Sequence, residues 1–209
     1  MKLAAGLQRS DDGIVRCAWC GQGDEYVRYH DTEWGVPVAD DTRLFEKLAL
    51  EGFQAGLSWL TILRKRENFR AAFRGFIPSD VARFGPRDVQ RLLRDEGIIR
   101  HRGKIEAVIN NAQLYDVLRA DAGSLAAFLW RHEPAKAERP ALVTRESIVA
   151  TVPASHAASK ALKTLGWRFV GPTTMYALFQ AMGMVNDHIE GCARRPAIER
   201  LRRAFKRPG

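Results

Sequence analysis

From Asp41 onward the apolar residues of this chain recur at helical spacing. Leu44, Phe45, Leu48 and Ala49 form one stripe behind the capping cluster Asp40-Asp41-Thr42, and Trp59, Ile62, Leu63, Phe69 and Phe73 form a second. Pro86 to Glu96 reads as a short helix opened by proline and stopped at Gly97. Another starts near Lys104 and carries Ile105, Val108, Ile109, Ala112 and Leu114. Further helices are expected at Ser124 to Trp130, at Ser155 to Leu165 with Gly166 as the stop, and at Pro172 to Met182 before Gly183. No segment alternates with period two, and no Asn-Gly type of pair separates two apolar runs. The expected fold class is therefore all-α. Residues 1–16, polar and without period, read as a flexible leader. Glu133 to Arg145, with Pro134 and Pro140, reads as a linker or long surface loop.

At 209 residues and 46% hydrophobic, the chain suits one domain, here residues 17–192, built as a single body or as two helical lobes sharing a core. The 33 Lys+Arg against 24 Asp+Glu give +9, which points to polyanionic partners, nucleic acid first; a merely solvated surface explains the count but not its clustering. Residues 64–104 hold twelve bases against five acids. The basic tail, residues 193–209, is read as a frayed, solvated end in preference to a phosphate-binding helix. No apolar run of about 18 residues and no signal-peptide pattern is visible, so membrane partners are not expected and the cytoplasm is the expected compartment. The absence of a heptad seam favours a monomer.

Two Cys/His pairs stand near opposite ends: Cys17 with His30, and His188 with Cys192. On a helix, His188 and Cys192 would share one face. Together the four would make a closed tetrahedral set, which suits a structural zinc because no position remains for water. Chance spacing of five His and three Cys is the rival reading. Cys17 and Cys20 also form a CxxC, but the βαβ setting of a redox motif is missing.

Gly97 to Lys104 is a glycine-bounded turn entering a helix N-terminus, with Arg100, Arg102 and Lys104 around it. Amides at such a start, together with the helix dipole, suit a phosphate backbone gripped without regard to sequence. Trp19, Tyr26, Tyr29 and Trp34 precede a second dense region, Glu51 and then Gln54 to Trp59. Trp34 and Phe53 are assigned to the core. Glu51 falls in an apolar helical stretch where burial demands a partner. Aromatic faces with one carboxylate suit a flat cationic heterocycle, while a plain salt bridge from Glu51 to an arginine is the competing reading.

Four segments, Tyr29 to Pro37, Leu50 to Trp59, Ile98 to Ile105 and Val185 to His188, resemble the DNA-3-methyladenine glycosylase I family over about residues 16–192. The resemblance implies a helix-hairpin-helix repair glycosylase that flips 3-methyladenine out of double-stranded, alkylated DNA and hydrolyses its glycosidic bond, releasing the free base. It implies zinc on Cys17, His30, His188 and Cys192, with Cys20 outside the set. Glu51 would be the pocket acid, Tyr29 and Trp59 the stacking walls, and Trp19 and Tyr26 further pocket members. Gln54, Gly56 and Leu57 would enter the base stack, and Arg100, Arg102, Gly103 and Lys104 would hold the DNA backbone. A non-catalytic damage-binding protein and a zinc hydrolase are the alternatives.

Overall fold

The computed structural model describes residues 3–209. It is mostly helical, as the periodicity predicts, with one small sheet. The helices are α1 (Asp24–Thr32), α2 (Asp41–Gln54), α3 (Trp59–Arg64), α4 (Arg66–Ala72), α5 (Pro78–Val81), α6 (Pro86–Arg94), α7 (Arg102–Gln113), α8 (Tyr115–Ala122), α9 (Leu125–Trp130), α10 (Pro153–Thr164), α11 (Pro172–Ala181) and α12 (Arg195–Ala204). No helix is long and apolar enough to cross a membrane among the described residues.

Helix α2 is the central element and packs against α3, α7, α9 and α11. Nine of its residues from Leu44 to Phe53 are buried, because its apolar stripe widens around Lys47 and Glu51 instead of leaving a polar face. The Asp40 carboxylate caps it by accepting from Arg43 N. Asp41 looks elsewhere: its oxygens accept from the amides of Leu125 and Ala126 at the start of α9. A one-residue step thus starts one helix and caps another.

The expected leader is not featureless. Leu7–Arg9 (β1) and Val15–Cys17 (β2) pair antiparallel, Leu7 opposite Cys17. The turn uses Gly13 at φ +79 and an Asp12 carboxylate that accepts from Ile14 N. Residues 1–2 of that leader lie outside the described residues. The tail also differs from a frayed end. Helix α12 buries Ile198 and Arg202, and Glu133 gathers Arg139, Arg202 and Arg207, each at 2.8 Å. Arg195 donates to the carbonyls of His188 (2.7 Å) and Asn186 (3.0 Å). These contacts tie the tail to the loop that carries His188.

One glycine is forced. At Gly183, φ +78, a Cβ would lie 2.5 Å from Pro37 N and 2.7 Å from Gly35 O. That close approach lets Gly35 N donate to Ala181 O and Val38 N to Met182 O, and it fixes the strip containing Trp34 against the end of α11.

Candidate active site

A cleft of about 240 Å³ opens among Trp19, Tyr26, Tyr29, Trp34, Glu51 and Gln54, with Trp59 and Gln180 completing most of its wall. Its expected pocket residues come from four places in the chain. The turn after β2 gives Trp19, α1 gives Tyr26 and Tyr29, α2 gives Glu51 and Gln54, and the first residue of α3 is Trp59. Trp19 meets Tyr26 edge-on at 5.1 Å and Trp34 at 4.9 Å between ring centres. Trp34, assigned from sequence to the core, is 9% exposed and lines the cleft as well.

Tyr29 and Trp59, expected to stack on the two sides of a base, touch each other instead. Their centres are 5.5 Å apart and tilted by 44°, the separation of two aromatic rings in direct contact, so no flat ring fits between them. Trp59 Nε1 is buried without a hydrogen-bond partner among the described residues.

Glu51 is buried and does have an ion partner, but a lysine and not an arginine. Lys47 Nζ lies 2.7 Å from Glu51 Oε1, donates to Tyr29 Oη at 2.9 Å, and sits 3.1 Å from the Trp59 ring centre. Burial pulls the Lys47 ammonium down to about 8, Glu51 opposing that shift. Burial, reinforced by Glu51, holds the Tyr29 phenol well above its ordinary range, so it stays protonated. Lys47 escaped sequence reasoning, although its i,i+4 spacing to Glu51 was a visible signal.

Beyond Gln54 the chain turns at Gly56, φ +81, and leaves Leu57 41% exposed on the short loop between Gln54 and Trp59, both of which line the cleft. Ser58 then caps α3 by accepting from Thr61 N. The loop that carries Leu57 is braced from behind. Lys104 Nζ donates to Phe53 O at 2.8 Å and Ala55 O at 2.6 Å. Lys104 is therefore turned inward and buried, contrary to the expected place beside a phosphate. Its long stem reaches the orphan carbonyls at the end of α2. Arg100 and Arg102 are exposed, near Glu96 (3.4 Å) and Glu106 (3.2 Å). His101 accepts from Lys104 N as the cap of α7. Arg66 and Arg70 pair with Glu33 and Glu46, which lie outside residues 64–104, so the field of that stretch is weaker than its formal charge.

Behind the cleft, Cys17, His30, His188 and Cys192 are all buried, with one ligand atom from each within 4.8 Å of the others. Cys192 Sγ is 3.5 Å from both His30 Nε2 and His188 Nδ1, and Cys17 Sγ is 3.9 Å from His188 Nδ1. The remaining ring nitrogens are held, His30 Nδ1 by Asp31 at 2.7 Å and His188 Nε2 by Trp34 O at 3.1 Å. Arg16, buried in the middle of β2, orients Asp31. The Cys192 thiol is held far below its ordinary range, first by a hydrogen bond from Cys17 and then by the two histidines. A buried thiolate with two imidazoles fits a cation. Cys20 points away, toward Cys17 O. His188 and Cys192 do not lie on a helix; a turn through Gly191, φ +94, brings them together.

Residues 19–195 match the family model described as methyladenine glycosylase. DNA-3-methyladenine glycosylase 1 of Escherichia coli (strain K12) is 48% identical over 182 residues, 86% of this chain and 96% of that protein. The DNA-3-methyladenine glycosylase of Haemophilus influenzae is 43% identical over 181 residues, 85% and 96% of the two chains. A crystal structure of a 3-methyladenine DNA glycosylase I superposes with a TM-score of 0.82 at 48% identity, covering 87% of this chain and all of that one. A variant of such a glycosylase, solved in complex with 3-methyladenine, gives 0.81 at 36% identity over 87% and 97%. A buried acid in an aromatic cleft backed by four clustered ligands thus sits on a chain whose sequence and fold match the same group, and the chain belongs to the methyladenine glycosylase family.

Proposed function

We propose that this protein excises 3-methyladenine from alkylated double-stranded DNA by hydrolysing the bond between base and deoxyribose. The observation that carries the reading is Glu51, a buried carboxylate in the wall of an aromatic cleft. Methylation at the ring nitrogen makes the base cationic and a good leaving group, so little acid catalysis is needed. The protein's work is to extract the nucleotide, at a few kcal/mol, and to favour a positive ring. Tyr29 and Trp59 act as one contiguous aromatic wall, each ring contact being worth roughly 0.5–2 kcal/mol. Glu51 accepts from the exocyclic amine and balances the charge. Leu57, with Gln54 and Gly56, fills the gap left in the stack.

In the same reading α6 and α7, with the turn between them, form the helix-hairpin-helix, and Arg100, Arg102 and the Gly103 amide meet the DNA backbone. Replacing Arg100 and Arg102 together by alanine is expected to weaken binding to any duplex and lower the salt slope by about two, at roughly 0.9 per phosphate. Fluorescence titrations at several salt concentrations measure it; an unchanged slope places the DNA elsewhere. Lys104→Ala should leave the slope alone and instead loosen the Leu57 loop.

Zinc suits the Cys/His set. A tetrahedron with Zn–S near 2.3 Å and Zn–N near 2.0 Å has S···N edges of about 3.5 Å, the separation of Cys192 Sγ from both histidines. Four protein ligands would leave no open position, so the metal clasps β2, α1 and the His188 loop and takes no part in hydrolysis. The deciding experiment is chromatography of bases released from methylated DNA, with zinc quantified in the same preparation. Release of 3-methyladenine is expected; tight binding to damaged DNA without release favours the damage-binding alternative.

A further inference from the structure

Behind the wall of the cleft lies a charge for which the reaction above has no use. Lys47 is 6% exposed, and its ammonium meets three cleft residues at once: Glu51 at 2.7 Å, Tyr29 Oη at 2.9 Å and the Trp59 ring centre at 3.1 Å. An amine that close to the ring centre denies that face of Trp59 to any other ring. It also holds the carboxylate that a cationic base needs. The other charged groups acting on it are Glu33, after α1, and Arg66, at the start of α4. Those two satisfy each other through a two-armed pair, which leaves Glu51 as Lys47's own counter-ion and Tyr29 as its neutral neighbour on α1.

We infer that Lys47 is a specificity-determining residue of the base pocket, an internal cation whose charge must be discharged when a positively charged base docks against Glu51. The inference rests on the reading of this cleft as a pocket for a cationic base. Two positive charges beside one buried carboxylate leave one of them uncompensated. Transfer of the Lys47 proton to the buffer removes the conflict, and the resulting amine accepts the Tyr29 phenolic proton where it had donated before. An ammonium already pulled down to about 8 gives up its proton readily near neutral pH. Docking is thereby linked to release of one proton. Affinity for a cationic base rises with pH to about 8 and levels off above it, while a neutral base meets no such gate.

The probe is 3,9-dimethyladenine, a cation throughout the range because both ring nitrogens are alkylated. It is titrated calorimetrically into wild type, Lys47→Met and Lys47→Arg from about pH 6 to about pH 9. Wild-type affinity should gain up to about tenfold per pH unit below 8. By about pH 9 it should approach that of Lys47→Met, while Lys47→Arg, ionised throughout, should remain at least about tenfold weaker. Wild type alone gives a second readout, independent of how the variants fold: near pH 7 its binding heat should vary with the buffer's ionisation enthalpy by about one released proton. A flat wild-type profile with no proton released overturns the role of Lys47, as does an arginine variant that binds as wild type does at high pH. A cation that binds none of the three at any pH overturns the pocket itself.

Discussion

Glu51→Gln is expected to lower base excision by roughly tenfold to a hundredfold, the equivalent of about 1.5–3 kcal/mol for a hydrogen bond to a charged group. The amide still occupies the carboxylate's volume, and one of its two polar ends still accepts. What it lacks is the negative charge that balances a cationic ring in a buried site. The fold should survive. Glu51 is the main influence holding the Lys47 ammonium up against burial, so without it the lysine falls further and enters the neutral form, sparing the core an unpaired charge. Single-turnover excision assays alongside melting curves separate the outcomes. Wild-type rates in a well-folded variant would remove Glu51 from the chemistry.

With zinc bound to the cluster as proposed, Cys192→Ser is expected to abolish metal binding and lower the melting temperature by about 10 °C. Cys192 lies nearest both histidines and is the thiol held as thiolate, so its sulfur is the strongest donor of the set. A ligand present at a thousand times its dissociation constant stabilises by about 4 kcal/mol, and each kcal/mol is worth about 2–4 °C in a chain of this length. Metal analysis with calorimetry checks both halves. A variant that melts with wild type would show that the cluster does not fasten β2, α1 and the His188 loop.

Much of this was legible in the residues. The stripes on α2 and α7 are regular, glycine or proline marks an end of α6, α10 and α11, and the Cys/His spacings named the four clustered residues. The first hairpin was hidden because each strand has three residues, too few to show alternation; Asp12-Gly13 was the one signal. His188 and Cys192 are neighbours for a reason the spacing did not supply. Arg195 and a glycine turn shape their loop, whereas a helix would have used backbone hydrogen bonds. Lys104 looked like part of a charge run, yet its amine serves carbonyls about fifty residues earlier, a contact no local pattern contains. Lys47 had the same disguise, a cation among Phe45, Leu48 and Leu50 that reads as solvated until Glu51, Tyr29 and Trp59 close around it.

Tyr29 and His30 are consecutive on α1, one in the wall of the cleft and the other in the Cys/His cluster. Trp34 likewise borders the cleft while its carbonyl steadies His188. An ion held by the cluster would therefore brace the aromatic wall from behind, and a chelator that removed it should slow excision by slackening that wall, a loss that mimics the removal of a hydrolytic metal.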